Sequence, residues 1–213
     1  MVRAERGPHV THTLFDVGVT GTVLAHNLRA LRIPAQEIDH VVISHGHPDH
    51  FGGIFGLLDA LEAPMPIATH PDAFLPRYAV MGDGRTAPDY NQAFQLEALY
   101  RSGGRPIFNR GAMDLGWGVF TTGEIAREAD FEGPPKEQPQ GSAGLWQVAQ
   151  DGTWVPDQVM DEGLIVLTGC AHAGVINTMR QARRLAGDKP IRAVMGGFHL
   201  GFPTTPQETW RRP

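Results

Sequence analysis

His45-Gly46-His47-Pro48-Asp49-His50 follows the apolar run Val41-Val42-Ile43-Ser44 and precedes Phe51-Gly52-Gly53-Ile54. Four potential metal ligands thus fall within six residues, where an expected strand gives way to an expected helix. Side chains alternate along a strand, so the chain leaving it can aim His45 and His47 the same way. Asp49 and His50 open the next helix and can face the same point from the other side. Neutral imidazole and ionised carboxylate are ligands available near neutral pH without the redox liability of a thiol. Together they suit Zn2+, Mn2+ or Fe2+. The plain alternative is a polar loop whose histidines merely solvate a turn. The strand–loop–helix context weighs against it.

The same grammar recurs twice downstream. Leu164-Ile165-Val166-Leu167-Thr168 is an apolar strand, and Gly169-Cys170-Ala171-His172-Ala173-Gly174 follows it. His172 is the natural third histidine of a site. Cys170 is read as a small buried residue, as free cysteines commonly are, with thiolate ligation as the alternative. Ala193-Val194-Met195-Gly196-Gly197-Phe198-His199 repeats strand, glycines and histidine, which makes His199 the next candidate ligand. His70, after Pro66-Ile67-Ala68-Thr69, is assigned a surface or supporting place. His9, His12, His26 and His40 carry no ligand spacing.

Further from the motif, Thr13–Asp16 reads as a strand. Val23, Leu24, Leu28 and Leu31 lie on one face of a helix spanning 22–31. Phe51, Ile54, Phe55, Leu58 and Leu61 form the stripe of a second helix over 51–61. Short strands are expected at 66–69, 119–122 and 191–195, and a helix at 175–186. Residues 76–116 are polar and glycine-rich and receive no assignment. Residues 130–157, rich in proline and glycine, read as loop. Strand–helix–strand order argues for a mixed α/β domain.

Composition bounds the reading further. A chain of 213 residues, 41% hydrophobic, is expected to form a single domain over 1–213. A net charge of −5 argues against a general nucleic-acid surface. With one cysteine no internal disulfide can form. No apolar run reaches the roughly 18–20 residues of a membrane span, and Met1–Arg6 lacks the apolar core of a signal peptide. No membrane association is expected, and the cytoplasm is the expected location.

Several phrases together resemble one family. They are Thr13-Leu14-Phe15-Asp16-Val17-Gly18, Ile43 to Gly53 around the histidine motif, Thr121-Thr122-Gly123-Glu124-Ile125, Thr168 to Thr178, and Met195 to Leu200. The histidine motif resembles the metallo-β-lactamase superfamily. The whole set resembles its dihydropteroate-synthase-like branch, named for an archaeal enzyme that joins a dihydropterin to a ribofuranosylaminobenzene phosphate. The resemblance implies a four-layer αββα sandwich with metals at one edge of its two sheets. It implies that His45 and His47 bind a first ion, that Asp49 and His50 bind a second, and that a water or hydroxide bridges the pair. One or two ions, Zn2+ or else Mn2+ or Fe2+, would be held with help from His172 and His199. Asp16 would buttress the metal loop without touching metal. Asp49 could also orient the attacking water in a hydrolysis. Cys170 and Glu124 stand as substitute ligands.

The sequence also departs from that family. Only twelve residues precede Thr13, and Met1–Thr11 shows no convincing strand pair. A strand looks to be missing between Met160 and Gly163. The family's later His-Cys-Thr-Gly segment, which supplies a further ligand, has no counterpart before Pro213. The expected sandwich is therefore incomplete at its N- and C-terminal edges, with weakened metal binding. The leading functional expectation is a hydrolase using a metal-bound hydroxide on a small molecule. The alternatives are a pterin-type transferase and a metal-binding but inactive remnant. An iron redox protein on the same fold would need acidic ligands and an added electron-carrying module. Arg77, Arg85, Arg101, Arg105 and Arg110 fall in the unassigned stretch. They suit an anionic substrate or, more simply, a solvated loop.

Overall fold

In the computed structural model, residues 1–89, 94–116, 118–129, 142–157, 167–187, 191 and 193–198 are described. In chain order the elements are β1 (Val2–Arg6), β2 (His9–Phe15), α1 (Gly21–Ala30), β3 (His40–Ile43), α2 (Pro48–Phe51), α3 (Ile54–Leu58), β4 (Met65–Thr69), β5 (Arg77–Val80), α4 (Leu96–Arg101), β6 (Gly104–Phe108), β7 (Met113–Gly116), β8 (Val119–Thr121), β9 (Gly144–Val148), β10 (Trp154–Pro156), β11 (Leu167–Thr168), α5 (Val175–Ala186) and β12 (Met195–Gly196).

Val41, Val42 and Ile43 of β3 are completely buried, the pattern of a strand covered on both faces. β3 runs parallel to β2 and β4, and β4 runs parallel to β6, in a sheet ordered β1-β2-β3-β4-β6. Strands of one direction leave their carboxyl ends at one edge, the usual place for a ligand in such sheets. That edge carries Asp16 after β2, Ser44 and His45 after β3, His70 after β4, and Asn109 and Arg110 after β6. Leu14, Val41, Ile43, Ile54, Ile67 and Leu99 fill the core beside this sheet, and Phe94 stacks on Phe51 with ring centroids 4.2 Å apart.

Four expectations are corrected. Met1–Thr11 does hold a strand pair: β1 runs antiparallel to β2, from Val2 opposite Thr13 to Arg6 opposite His9. The two-residue turn Gly7-Pro8 makes the hairpin, with Gly7 at φ +61. Charged β1 is a half-solvated edge strand, so it shows no clean apolar alternation. The expected helix over 51–61 is split into α2 and α3 at Gly52-Gly53. There the backbone of Val17–Val19 presses on the glycines: a Cβ at Gly52 would lie 2.0 Å from the Val19 carbonyl oxygen. The stretch 76–116 contains β5, α4, β6 and β7. The stretch read as loop contains β9 and β10, a hairpin through Asp151-Gly152 whose strand β9 pairs with β5. Trp146 is its buried anchor, and Trp154 stacks on Tyr78 at 4.7 Å.

Among the described residues, the expected strand at 164–168 is represented by β11, which pairs in parallel with β12. The expected strand at 191–195 starts only at Met195. The expected helix at 175–186 is α5. No helix among the described residues is long and apolar enough to cross a membrane.

Candidate metal centre

The centre is assembled on Asp16. Its backbone takes the left-handed conformation, φ +54, uncommon for a residue with a Cβ. This turns the carboxylate back across the end of β3. Asp16 Oδ1 accepts from the Ser44 amide at 2.7 Å, and Oδ2 accepts from the Ser44 hydroxyl at 2.8 Å. Oδ2 also lies 2.7 Å from His50 Nδ1. One carboxylate thereby ties the end of β3 to the start of α2. The downstream loop lies directly on this unit: a Cβ at Gly169 would sit 2.4 Å from Ser44 Oγ. Glycine there lets Cys170 and His172 approach the first motif. Ala171 between them is also left-handed, at φ +52.

Three imidazoles show a common arrangement. His45 Nδ1 lies 2.9 Å from Ser44 Oγ, and its Nε2 lies 3.1 Å from His47 Nδ1. His47 Nε2 lies 3.2 Å from Asp157 Oδ2. His50 Nδ1 faces Asp16, while its Nε2 lies 3.1 Å from Cys170 Sγ. In each ring one nitrogen meets a protein oxygen and the other turns toward the shared space. The His172 ring centroid is 5.0 Å from that of His45 and 5.2 Å from that of His47. Ligand atoms of His45, His47 and His172 lie within 4.8 Å of one another, as do those of His45, His50 and Cys170. Such spacing, with imidazole and thiol donors, suits a borderline divalent ion.

The electrostatics separate two of these rings. Burial, followed by the neighbouring His50, His47, His172 and Arg77, pushes the His45 pKa well below its ordinary value. Burial also opposes protonation of His50, but hydrogen bonds to Asp16 and Cys170 outweigh it and raise its pKa to about 10. These directions hold for the protein without metal. An ion must displace the His50 proton to use its Nε2.

Not every expected site residue joins the two groups. Asp49 is 60% exposed at its side chain, with Oδ2 3.5 Å from His50 Nε2. It stands at the rim, outside both groups. His199 lies outside the described residues. Cys170 is not a buried packing residue: it is half-buried and set against His50. Glu124 joins neither group. Its Oε1 lies 2.8 Å from His70 Nε2 and accepts from Arg110 at 2.7 Å. The expectation of a surface His70 is corrected too, because His70 is 1% exposed beneath that ion pair.

Of the five arginines, Arg85, Arg101, Arg105 and Arg110 are exposed, as the solvated reading expects, and Arg77 departs from it. Arg77 is buried, donating to Asp157 and to the carbonyls of Asp72, Ala73 and Leu75. Arg85 pairs with Asp83 and Arg101 with Glu97 at the surface. Arg105 donates to the carbonyls of Tyr100 and Gly104, and Arg110 joins Asp72 and Glu124. Asp157 itself escaped sequence reading. It follows Trp154-Val155-Pro156 in the stretch read as loop, and nothing local marks an acid there as buried.

Comparison with known proteins gives this geometry a context. Residues 11–141 match the family profile of the metallo-beta-lactamase superfamily. The chain is 32% identical, over 88% of its length, to a 7,8-dihydropterin-6-methyl-4-(beta-D-ribofuranosyl)-aminobenzene-5'-phosphate synthase of Methanocaldococcus jannaschii. It is 29% identical, again over 88% of its length, to the uncharacterized protein MJ0448 of the same archaeon. It spans 65% of the length of the first relative and 67% of the second. Among solved structures, Tm1679, described as a metal-dependent hydrolase of the beta-lactamase superfamily, is 27% identical with a TM-score of 0.65. That match covers 95% of this chain and 72% of the other.

Proposed function

Because the chain belongs to the metallo-β-lactamase superfamily and has its fold, we propose that it is a metal-dependent enzyme acting on a small molecule, with hydrolysis as the leading reaction. The observation that carries the proposal is the shared arrangement of His45, His47 and His50. Each offers one ring nitrogen to a common space while Ser44, Asp157 or Asp16 meets the other. Buttressed imidazoles of this kind are the usual support of metal ligands.

His45, His47 and His172 would hold one ion. His50 would hold a second, with Cys170 against it, Asp49 at the rim and His199 as a further ligand. A divalent ion, Zn2+ or else Mn2+ or Fe2+, supplies Lewis acidity that polarises the attacked group and makes water reactive near neutral pH. Asp16 sets the His50 ring. Asp49, exposed beside His50, is placed to orient water or substrate. The chemistry would act on an ester, phosphoester or amide.

A second reading, transfer onto a pterin, is favoured by the relative that is named as a dihydropterin synthase. One experiment separates the two. Purified protein is analysed for metals, then assayed with and without chelator on hydrolysable esters, phosphoesters and amides. In parallel it is offered a dihydropterin whose methylene carries a diphosphate leaving group, together with a ribofuranosylaminobenzene phosphate, and release of diphosphate is measured with the joined product. Chelator-sensitive hydrolysis supports the leading reading, and chelator-sensitive condensation supports the second. Turnover indifferent to chelator would contradict both.

A further inference from the structure

We infer that Glu124 is a substrate-recognition residue: its carboxylate, two strands along the edge from the metal loop, accepts from the N–H donors of a 2-aminopyrimidinone ring edge, which pterins and guanine share. The inference deepens the pterin reading of the proposed centre and rests on it for its purpose. Its test reads equilibrium binding, which needs no turnover.

Thr121-Thr122-Gly123-Glu124-Ile125 is a phrase of the sequence that the metal centre leaves unused. Gly123, at φ +64, presses the chain onto the loop after β6: a Cβ there would lie 2.3 Å from the Gly111 carbonyl carbon. These loops are fastened without the Glu124 side chain. The Glu124 amide donates to the Arg110 carbonyl at 2.9 Å, and the Asn109 amide donates to the Thr69 carbonyl at 3.3 Å. Asn109 Nδ2 donates to Thr121 Oγ1 at 3.0 Å. The side chain is gripped separately. Oε1 accepts from His70 Nε2 at 2.8 Å and from Arg110 NH1 at 2.7 Å. Both bonds fall on one oxygen, and Oε2 has no hydrogen-bond partner among the described residues. An ionised carboxylate offers about four lone-pair sites, so the second oxygen is left to accept while the first is held. The His70 side chain is 1% exposed and that of Glu124 34%. A buried ring thus fixes a carboxylate that a ligand can reach.

Charge and position select the ligand. The His70 hydrogen bond first, and then Arg110, hold the Glu124 carboxyl below its usual pKa, so it is ionised at neutral pH. His70 accepts the Asp72 amide at Nδ1, 3.1 Å away, and so is neutral. Arg110 also donates to Asp72 Oδ1 at 3.1 Å. Two carboxylates therefore stand against one guanidinium. That balance disfavours an anion on Arg110 and favours a group bearing N–H donors, whose bonds to a carboxylate are the stronger, charge-assisted kind. Ile43, Thr69 and Phe108 are in register across β3, β4 and β6, so His45, His70 and Arg110 leave these strands at one edge. Neighbouring strands lie about 4.8 Å apart, which puts the Arg110 end about 10 Å along the edge from the metal loop. A two-ring heterocycle with its methylene arm can bridge that span, one end on Glu124 and the reacting end at the metal.

The test titrates the full chain, with and without added Zn2+, by calorimetry with two matched pairs of ligands. One pair is 7,8-dihydropterin and its analogue lacking the 2-amino group; the other is guanosine and inosine. The expected result is that dihydropterin binds about 10-fold or more tighter than its analogue, as for a hydrogen bond to a charged group. Glu124→Gln, which keeps the shape and removes the charge, should lose most of that preference. A preference for guanosine over inosine that also depends on Glu124 would uphold the recognised edge and assign it to a purine. No binding of either amino ligand, equal binding within both pairs, or a preference that survives Glu124→Gln overturns the inference. If Glu124→Gln fails to fold, Glu124→Asp, which withdraws the charge from the ligand, takes its place with the same expectation. Selective binding without turnover under any metal would refute the proposed enzyme and leave this inference standing.

Discussion

Two histidine settings stand at the ends of neighbouring parallel strands. After β3, His45, His47 and His50 each have one nitrogen against a protein oxygen and one turned into a shared space. After β4, His70 has both nitrogens occupied: Nδ1 accepts from the Asp72 amide at 3.1 Å and Nε2 donates to Glu124 at 2.8 Å. Burial alone does not distinguish them, since His45 and His70 are each 1% exposed. The difference lies in what the second nitrogen meets: another donor of the same cluster after β3, a carboxylate of an ion pair after β4. A histidine with both nitrogens satisfied locally is a clamp, and one with a nitrogen directed at other donors is a candidate ligand.

Removing a ring on each side should give the widest contrast. His47→Ala is expected to weaken Zn2+ binding by more than the about 10–100-fold typical of a supporting residue. His70→Ala is expected to leave Zn2+ binding unchanged while lowering stability by about 1–3 kcal/mol, since it strips partners from buried polar groups. Isothermal titration and thermal melting of both variants would measure this. Equal metal loss from both would erase the distinction.

Asp16→Asn comes next, with an expected loss of about 10–100-fold in Zn2+ affinity. It also has a pH signature in metal-free protein. Because the folded His50 pKa is raised to about 10, its stabilising contribution is complete below the ordinary value of 6.5 and disappears as pH rises through about 10. Wild type and Asp16→Asn should therefore differ most in melting temperature at mildly acidic to neutral pH and converge at alkaline pH. A constant gap would refute the Asp16–His50 account.

Glu124→Gln should have a smaller effect, about 1 kcal/mol or less, because Arg110 is 55% exposed and solvent screens the pair. The His70 hydrogen bond first, and then Arg110, hold the Glu124 carboxyl below its usual pKa. Its contribution is therefore present above the ordinary carboxylate range and lost as pH falls through the depressed value. Melting curves of the variant and wild type should merge in acid. Least of all, Glu97→Ala, which breaks an exposed pair with Arg101 on α4, should cost no more than about 0.5 kcal/mol by denaturant titration.

The same contrast explains what could be read from sequence. The β3 end announced itself because strand, glycine and ligands are consecutive residues, and the loop at Gly169–His172 repeats that order. The buttress Asp16 was legible only through family resemblance, since a turn aspartate before glycine looks the same. Asp157 and the true place of Arg77 were not legible. Their meeting depends on β9–β10 folding back on β5, across 80 positions of sequence. Proline and glycine in that stretch suggested a loop, where the hairpin uses them as turn and edge. The split of the helix at Gly52-Gly53 was hidden for a related reason: the apolar stripe runs through, while the contact that breaks it comes from residues 17–19.

The central claim is that the histidines after β3, and not the one after β4, hold metal. Elemental analysis of the wild type, a His45→Ala/His47→Ala double variant and His70→Ala, all purified identically, tests it most directly. The expected result is a divalent transition metal in the wild type and in His70→Ala, and its loss from the folded double variant. A metal-free wild type after supplementation with Zn2+, Mn2+ and Fe2+, or a double variant that keeps its metal, would contradict the claim.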